Sequence, residues 1–502
     1  MIIYNYFFHP LARVPGPLTG AVFPFWTMRT LHRRNLNPGL AQLHEKYGQT
    51  HREFLDTGPI VRVGPNQLSF TSVEAQKIIY NAKPTDNGAD EPFNRSGTLQ
   101  DVILLLLLKA RHIGSLSSRA EHKKIRRRLL PGFTSNALFE QESLLRLHVD
   151  NLLHALAQRQ EHQGPNDLTE YFSRFLWDFV SDLSFGEPLI QEKKDPHADT
   201  LQSLVDLYEN FFPLIEAINY AVPQVQGSIR LVLHLIPSLT LGAVLPTATF
   251  REYVPNIAVP HCIDRQDGRC DFITHIMGHK SRDPTELKLS YEEMHSNATI
   301  LTLAAYKSTE TIMSALFYRL LATPGVIQEL QSELLRNFQS IDDITGKKLL
   351  PLPYLNGCVY ETLRLTPAVA GKLTSRLSPG AMIDGIYVPA GTEVYTETYS
   401  MQRSPRYWHA PDEFRPERWY ERGEGSPYAR DVHEAFKPFS SGPRACLGKE
   451  LALQVLRLTA ALMVYRFDLK MLDKDRFVWD KDTDSGIAYS NYHVKATVKE
   501  RV

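Results

Sequence analysis

Apolar residues in this chain recur mostly with a helical period. Residues 133–157 and 168–185 carry them three and four apart, as amphipathic helices do, and the second run stops at Gly186, before Pro188. Residues 290–323 form the longest such stretch. Ser290 suits an N-cap, Glu293 three residues on completes a capping box, and Pro324 ends the helix. Shorter helices are expected over 40–47, 354–365 and 447–465. Strand character is confined to brief runs. Residues 60–63 and 67–70 flank Gly64-Pro65, a hairpin signal, and residues 383–394 contain the turn dipeptide Asp384-Gly385. The pattern predicts a mainly α protein with a small β-rich lobe.

Two apolar stretches test for a membrane span. Leu104–Leu108 are five leucines in a row, and residues 1–8 are apolar and aromatic; both fall far short of the ~20 residues a spanning helix needs. The N-terminus also lacks the basic start and small-residue cleavage site of a signal peptide. The 502 residues are 43% hydrophobic and 22% charged, ordinary for a globular protein with a large core. Formal net charge is zero, which gives no support for nucleic-acid binding. Cys262, Cys270, Cys358 and Cys446 lack the spacing and partners of a zinc site, and four cysteines in so long a chain suit a reducing compartment.

Cys446 stands in Phe439-Ser-Ser-Gly-Pro-Arg-Ala-Cys-Leu-Gly448. Gly442 and Pro443 set a tight turn, and Gly448 lets a bulky group approach the backbone. A cysteine at the start of the helix over 447–465 gains thiolate stabilisation from orphan N–H groups and the positive dipole end, and Arg444 adds a fixed positive charge. A thiolate held in a glycine-rich turn with apolar surroundings suits an axial iron ligand. Glu361 and Arg364 are spaced i,i+3, on one helix face. Phe414-Arg-Pro-Glu-Arg418-Trp419 follows with a further charge. Residues 121–128, Glu-His-Lys-Lys-Ile-Arg-Arg-Arg, begin a basic helix on which His122 and Arg126 share a face at i,i+4.

Residues 439–448 fit F-x-x-G-x-R-x-C-x-G throughout and resemble the haem-binding signature of the cytochrome P-450 superfamily. The two charged motifs stand at family-like distance, and the resemblance runs from His9 over nearly the whole chain. Residues 61–70, 182–188 and 414–419 are similar in wording to fungal members of secondary metabolism. The resemblance implies that Cys446 is the axial thiolate of haem b and pushes electron density onto the iron to favour O–O cleavage. It implies haem contacts from Phe439 and from His122, Arg126, Arg376 and Arg444, the last four at the propionates, and a Glu361–Arg364–Arg418 network behind the ligand loop. Residues 201–250 would form a lid over substrate, residues 367–373 would pass the haem, and residues 486–488 would turn towards substrate.

The activity so implied is insertion of one oxygen atom from O2 into a lipophilic small molecule, with NADPH-cytochrome P-450 reductase as partner. Lys123, Lys124, Arg127 and Arg128 would face an acidic reductase surface. Residues 1–17 would be an anchor remnant and proline-rich hinge, and residues 18–502 one catalytic domain. That domain would be a monomer at the cytosolic face of the endoplasmic reticulum membrane, with peripheral membrane contact. Against the family pattern, residues 49–58 read as an insertion, and residues 99–113 as either a buried helix segment or an insertion in a substrate-facing loop.

The family's oxygen-activating motif, A-G-x-[D/E]-T-T, falls without gaps on Ala304-Ala305-Tyr306-Lys307-Ser308-Thr309. The candidate catalytic residues are therefore Lys307, Ser308 and Thr309. Ala305 stands where glycine is usual, Ser308 takes the alcohol position and Lys307 replaces the acid. A charged lysine cannot accept a hydrogen bond. It can pair with Glu310, titrate as a desolvated amine, or leave the proton relay to Ser308 and water. We expect the third. A rival register, shifted by three residues, uses Glu310-Thr311 as the acid–alcohol pair. The lost acid also leaves open a haem-thiolate isomerase or dehydratase, and the insertions a non-catalytic haem-binding relative.

Overall fold

The computed structural model describes residues 2–22, 25–48, 60–81, 93–95, 111–158, 165–186, 188, 272, 289–369, 371–472, 474–486 and 488–501. The expected insertion at 49–58, the leucine run at 104–108 and the lid at 201–250 lie outside these residues.

The helices that frame the site are α1 (Leu36–Gly48), α2 (Val73–Asn81), α3 (Arg119–Leu129), α4 (Glu142–Gln158), α5 (Leu168–Phe185), α6 (Tyr291–Ala322), α7 (Val326–Asn337), α8 (Pro353–Leu365) and α9 (Lys449–Arg466). Helix α6 begins as its sequence dictates. Ser290 Oγ accepts from the Glu293 N–H at 3.2 Å, and the Glu293 carboxylate accepts from the Ser290 N–H at 2.9 Å. Its flank packs on α5, where Phe172 meets Phe317 at 4.9 Å and Trp177 meets Tyr306 edge-on at 4.7 Å. Gly186 closes α5 at φ 79°, a left-handed conformation that glycine adopts without strain. The stretch 133–157 departs from expectation. It is a short helix, Ser135–Glu140, then α4, with Gln141 between them. The buried Gln141 side chain donates to the Gly132 carbonyl, so the chain turns there instead of running straight.

The small lobe is a five-stranded sheet in the order β1-β2-β8-β5-β3. Its strands are β1 (Ile60–Gly64), β2 (Gln67–Phe70), β3 (Asn94–Arg95), β5 (Arg376–Leu377) and β8 (Glu393–Thr396). A three-stranded sheet joins β4 (Asn166–Asp167), β12 (Lys495–Glu500) and β9 (Phe467–Met471). The Asp384-Gly385 turn joins β6 (Ala381–Ile383) to β7 (Ile386–Val388), with both turn residues at positive φ. β10 (Asp484–Ser485) and β11 (Tyr489–Ser490) form a second hairpin. The N-terminal segment is docked on the small lobe. Leu11 is buried with Ile60, Leu68 and Phe70, and the buried Arg62 guanidinium donates to the Asn5 carbonyl at 3.0 Å. No helix among the described residues is long and apolar enough to cross a membrane.

Candidate active site

The cysteine loop is closed on itself and fastened to α2. The Cys446 N–H donates to the Phe439 carbonyl at 2.9 Å, and the Ala445 N–H to Gly442 at 3.0 Å. Phe439 packs against the main core. Gly442 sits at φ 75°, and a Cβ there would lie 2.0 Å from the Tyr80 carbonyl oxygen, so both conformation and space exclude a side chain. At Gly448 an added Cβ meets only Phe133, at 3.9 Å, so the neighbouring protein does not demand glycine there. Helix α9 begins at Lys449, three residues past Cys446. Cys446 keeps exposed surface, yet the protein packed around its sulfur pushes the thiol pKa up. The Gly448 N–H and the Arg126 guanidinium pull it back down.

Beside this loop lies a basin of positive charge. His122 is buried on α3, and its pKa is lowered to about 4, first by burial and then by Arg444, Arg126, Arg376 and Arg95. The sequence pointed to three of these arginines; Arg95 it did not. Arg126 donates to the Ala445 carbonyl at 2.8 Å, directly next to Cys446. Arg444 donates to Leu116 and Ser117 at 2.6 and 2.7 Å, and Arg376 to Thr374 and Ser375 at 2.8 and 3.0 Å. Tyr80 joins the parts: its carbonyl abuts Gly442, and its ring lies 5.3 Å from the Arg376 guanidinium. Four guanidiniums around one neutral histidine suit a dianion with two carboxylates. Haem, with two propionates, fits that donor set beside a cysteine.

Behind the loop, Glu361 is wholly buried and saturated. Arg364 grips both its oxygens at 2.8 and 2.9 Å; Arg418, Trp419 Nε1 and the Arg415 N–H each donate at 3.0 Å. Arg418 also pairs with Asp431. Burial raises the Glu361 pKa, but Arg364 and Arg418 outweigh it and hold the carboxyl below its usual range. Glu361, Arg364 and Arg418 meet as the sequence implied; Trp419 and Asp431 are additions.

On α6, Leu301, Ala304, Ala305 and Ser308 fall on one face. Ala304 is exposed in mid-helix while Thr302 and Tyr306 are buried. Leu301 and Leu447, next to Cys446, pack against the same cluster of Leu116, Ile125 and Leu129. The open face of α6 and the cysteine loop therefore border one space. Ser308 Oγ lies on it, donating to the Ala304 carbonyl at 2.6 Å. Thr309 is buried, about 100° further round the helix. Lys307 pairs with Glu310 at 3.2 Å, the first of the three arrangements its sequence allowed.

A mainly helical protein with a long helix and a cysteine loop bordering one space, and an arginine basin beside the loop, has the build of a haem-thiolate oxygenase. The chain belongs to the cytochrome P450 family, whose model matches residues 15–497. It is 69% identical to a sesterfisheric acid synthase of Neosartorya fischeri, over 100% of this chain and 94% of that protein. It is 37% identical to cytochrome P450 monooxygenase FUP2 of Fusarium proliferatum, over 99% of this chain and 93% of that one. It is also 37% identical to cytochrome P450 monooxygenase btcB of Colletotrichum orbiculare, over 99% and 90%. The enzyme is a cytochrome P450 monooxygenase of the fungal secondary-metabolism type. The family carries haem on a cysteine thiolate and uses O2, a redox partner and lipophilic substrates.

Proposed function

We propose that Cys446 holds the iron of haem b, and that the enzyme inserts oxygen from O2 into a lipophilic metabolite with electrons from NADPH through a P-450 reductase. The observation that carries this reading is the arginine basin beside the Cys446 loop. Haem supplies the oxygen chemistry once bound. The chain's own residues ligate, orient and protonate. Arg95, Arg126, Arg376 and Arg444 neutralise the two propionates, and neutral His122 donates to one. Phe439 anchors the ligand loop in the core. On the open face of α6, the Ser308 hydroxyl and water hold the proton bound for oxygen.

The relative at 69% identity is named for an acid product. The substrate proposed here is accordingly a lipophilic precursor oxidised at one carbon, by successive oxygen insertions, to a carboxylic acid. Helix α3 serves two surfaces. His122 turns inward, while exposed Lys123, Lys124 and Arg127 offer an acidic reductase a docking face. Ile2, Ile3, Phe7 and Phe8, each more than 60% exposed, support peripheral contact with the cytosolic face of the endoplasmic reticulum. The test is turnover with reductase and NADPH under isotopically labelled O2. Label should appear in product, in step with NADPH consumed. Conversion without label and without NADPH would restore the isomerase reading.

A further inference from the structure

Helix α6 lacks a carboxylate at position 307 but holds one a turn further on. The Glu310 side chain is 3% exposed. It accepts from Lys307 Nζ at 3.2 Å, Tyr492 Oη at 2.7 Å and Ser314 Oγ at 3.2 Å. Thr311 Oγ1 lies 2.8 Å from the same Tyr492 hydroxyl. Lys307 also sits 5.2 Å from the centre of the Tyr492 ring, and its side chain, 26% exposed, is the one in this group that reaches solvent. A polar line thus runs from the surface through Glu310 and Tyr492 to the fully buried Thr311. Positions 304, 308 and 311 fall at i, i+4 and i+7, one stripe of the helix. Thr311 therefore follows Ser308 on the stripe that Ala304 opens to the site. Apolar residues of equal volume would fasten this part of the chain to α6 without the desolvation cost of a buried ion pair.

We propose that Glu310, Tyr492 and Thr311 form the proton path to the oxygen-side face of α6, in place of the acid missing at position 307. The Lys307 ammonium gives a proton to Glu310. The resulting carboxylic acid passes it to Tyr492 Oη, whose own hydrogen, donated to Glu310 at rest, turns to Thr311 Oγ1 and is released there. Thr311 in turn releases its proton towards Ser308. Each oxygen gains one proton and loses one, Lys307 is reprotonated by solvent, and one proton moves inward. Lys307 becomes the inlet of the path and not the bystander expected from sequence. The ungapped register stands, while Glu310 and Thr311 perform the acid–alcohol task through a tyrosine. This inference rests on the proposed place of Ser308 at the end of the path.

The experiment uses the haem-loaded enzyme with reductase, NADPH and O2 and no organic substrate, where proton delivery decides the split of reduced oxygen between peroxide and water. Tyr492→Phe keeps the ring against Trp479 and removes the hydroxyl. Thr311→Val removes the next link, and Thr311→Ser restores it. Tyr492→Phe and Thr311→Val should each raise the peroxide share several-fold and enlarge the solvent isotope effect, with haem content unchanged. Thr311→Ser should return both to wild type. Without turnover, Tyr492→Phe should shift the isotope-edited infrared band of the Glu310 carboxyl. An unmoved band, or wild-type peroxide share in Tyr492→Phe and Thr311→Val, overturns the path. If Ser308→Ala alone raises the peroxide share, the path is wrong and the place of Ser308 survives. If Ser308→Ala also behaves as wild type, the reading of Ser308 fails as well.

Discussion

Arg95 and Arg376 stand directly opposite each other in the antiparallel pair β3–β5. Like charges in that position destabilise a strand pair, by up to ~1 kcal/mol, and both also act on His122. The proposed haem, with its two carboxylates, would offset that repulsion. Arg95→Leu should leave thermal stability without haem unchanged or higher, yet weaken haem retention. Each charge-assisted hydrogen bond lost should cost about 1.5–3 kcal/mol, and Arg126→Ala should act alike. Haem content per protein is the measurement. Unchanged content in every single arginine variant, and in the doubles, contradicts the clamp.

Gly442 and Gly448 should respond differently. Gly442→Ala puts a methyl group onto the Tyr80 carbonyl at a positive φ and should dislodge the cysteine loop, seen as haem-free protein. Gly448→Ala meets only Phe133, in ordinary contact, and should leave the protein's own fold stable. Equal tolerance of both, by thermal unfolding and haem content, would contradict the loop geometry.

Much of this was legible beforehand because it is local. The capping box at Ser290, the stop at Gly186, the Asp384-Gly385 turn and the i,i+3 pair Glu361–Arg364 each depend on residues a few positions apart. What escaped depends on distant contacts. Arg95 sits in a two-residue strand, and only its pairing with β5 shows its place. Tyr492 is 182 positions from Glu310, so no spacing rule could join them. The break at Gln141 needs the Gly132 carbonyl that it bonds. Lys307 was legible as an anomaly, but its contact with the Tyr492 ring was not.

Glu361→Gln should be severely destabilising. Removing one member of a buried ion pair leaves an uncompensated charge, typically at 3–5 kcal/mol, and here Arg364 and Arg418 are both fully buried. Because the Glu361 pKa is depressed in the folded state, its contribution is complete above the ordinary carboxylate pKa. It is lost as pH falls through the folded value. Denaturant unfolding should show the acid loss in wild type and its reduction in Glu361→Gln. A near-neutral substitution would contradict the network.

His112 is a stability reserve. It is 1% exposed, and both ring nitrogens lack hydrogen-bond partners among the described residues. Burial, then Arg95, lowers its pKa to about 4. Between 4 and the ordinary 6.5 the unfolded chain binds a proton that the folded chain refuses, so stability climbs with pH across that window and is complete above it. His112→Leu should gain about 1–3 kcal/mol and flatten that slope. Loss of stability at pH 7 in urea unfolding would contradict this.

The central claim is that Cys446 is the iron ligand, and the carbon monoxide difference spectrum of the reduced enzyme tests it most directly. Wild type should give the thiolate-type band, and Cys446→Ser should lose it while Cys358→Ser, at the buried cysteine of α8, retains it. A thiolate-type band that survives in Cys446→Ser would contradict the account.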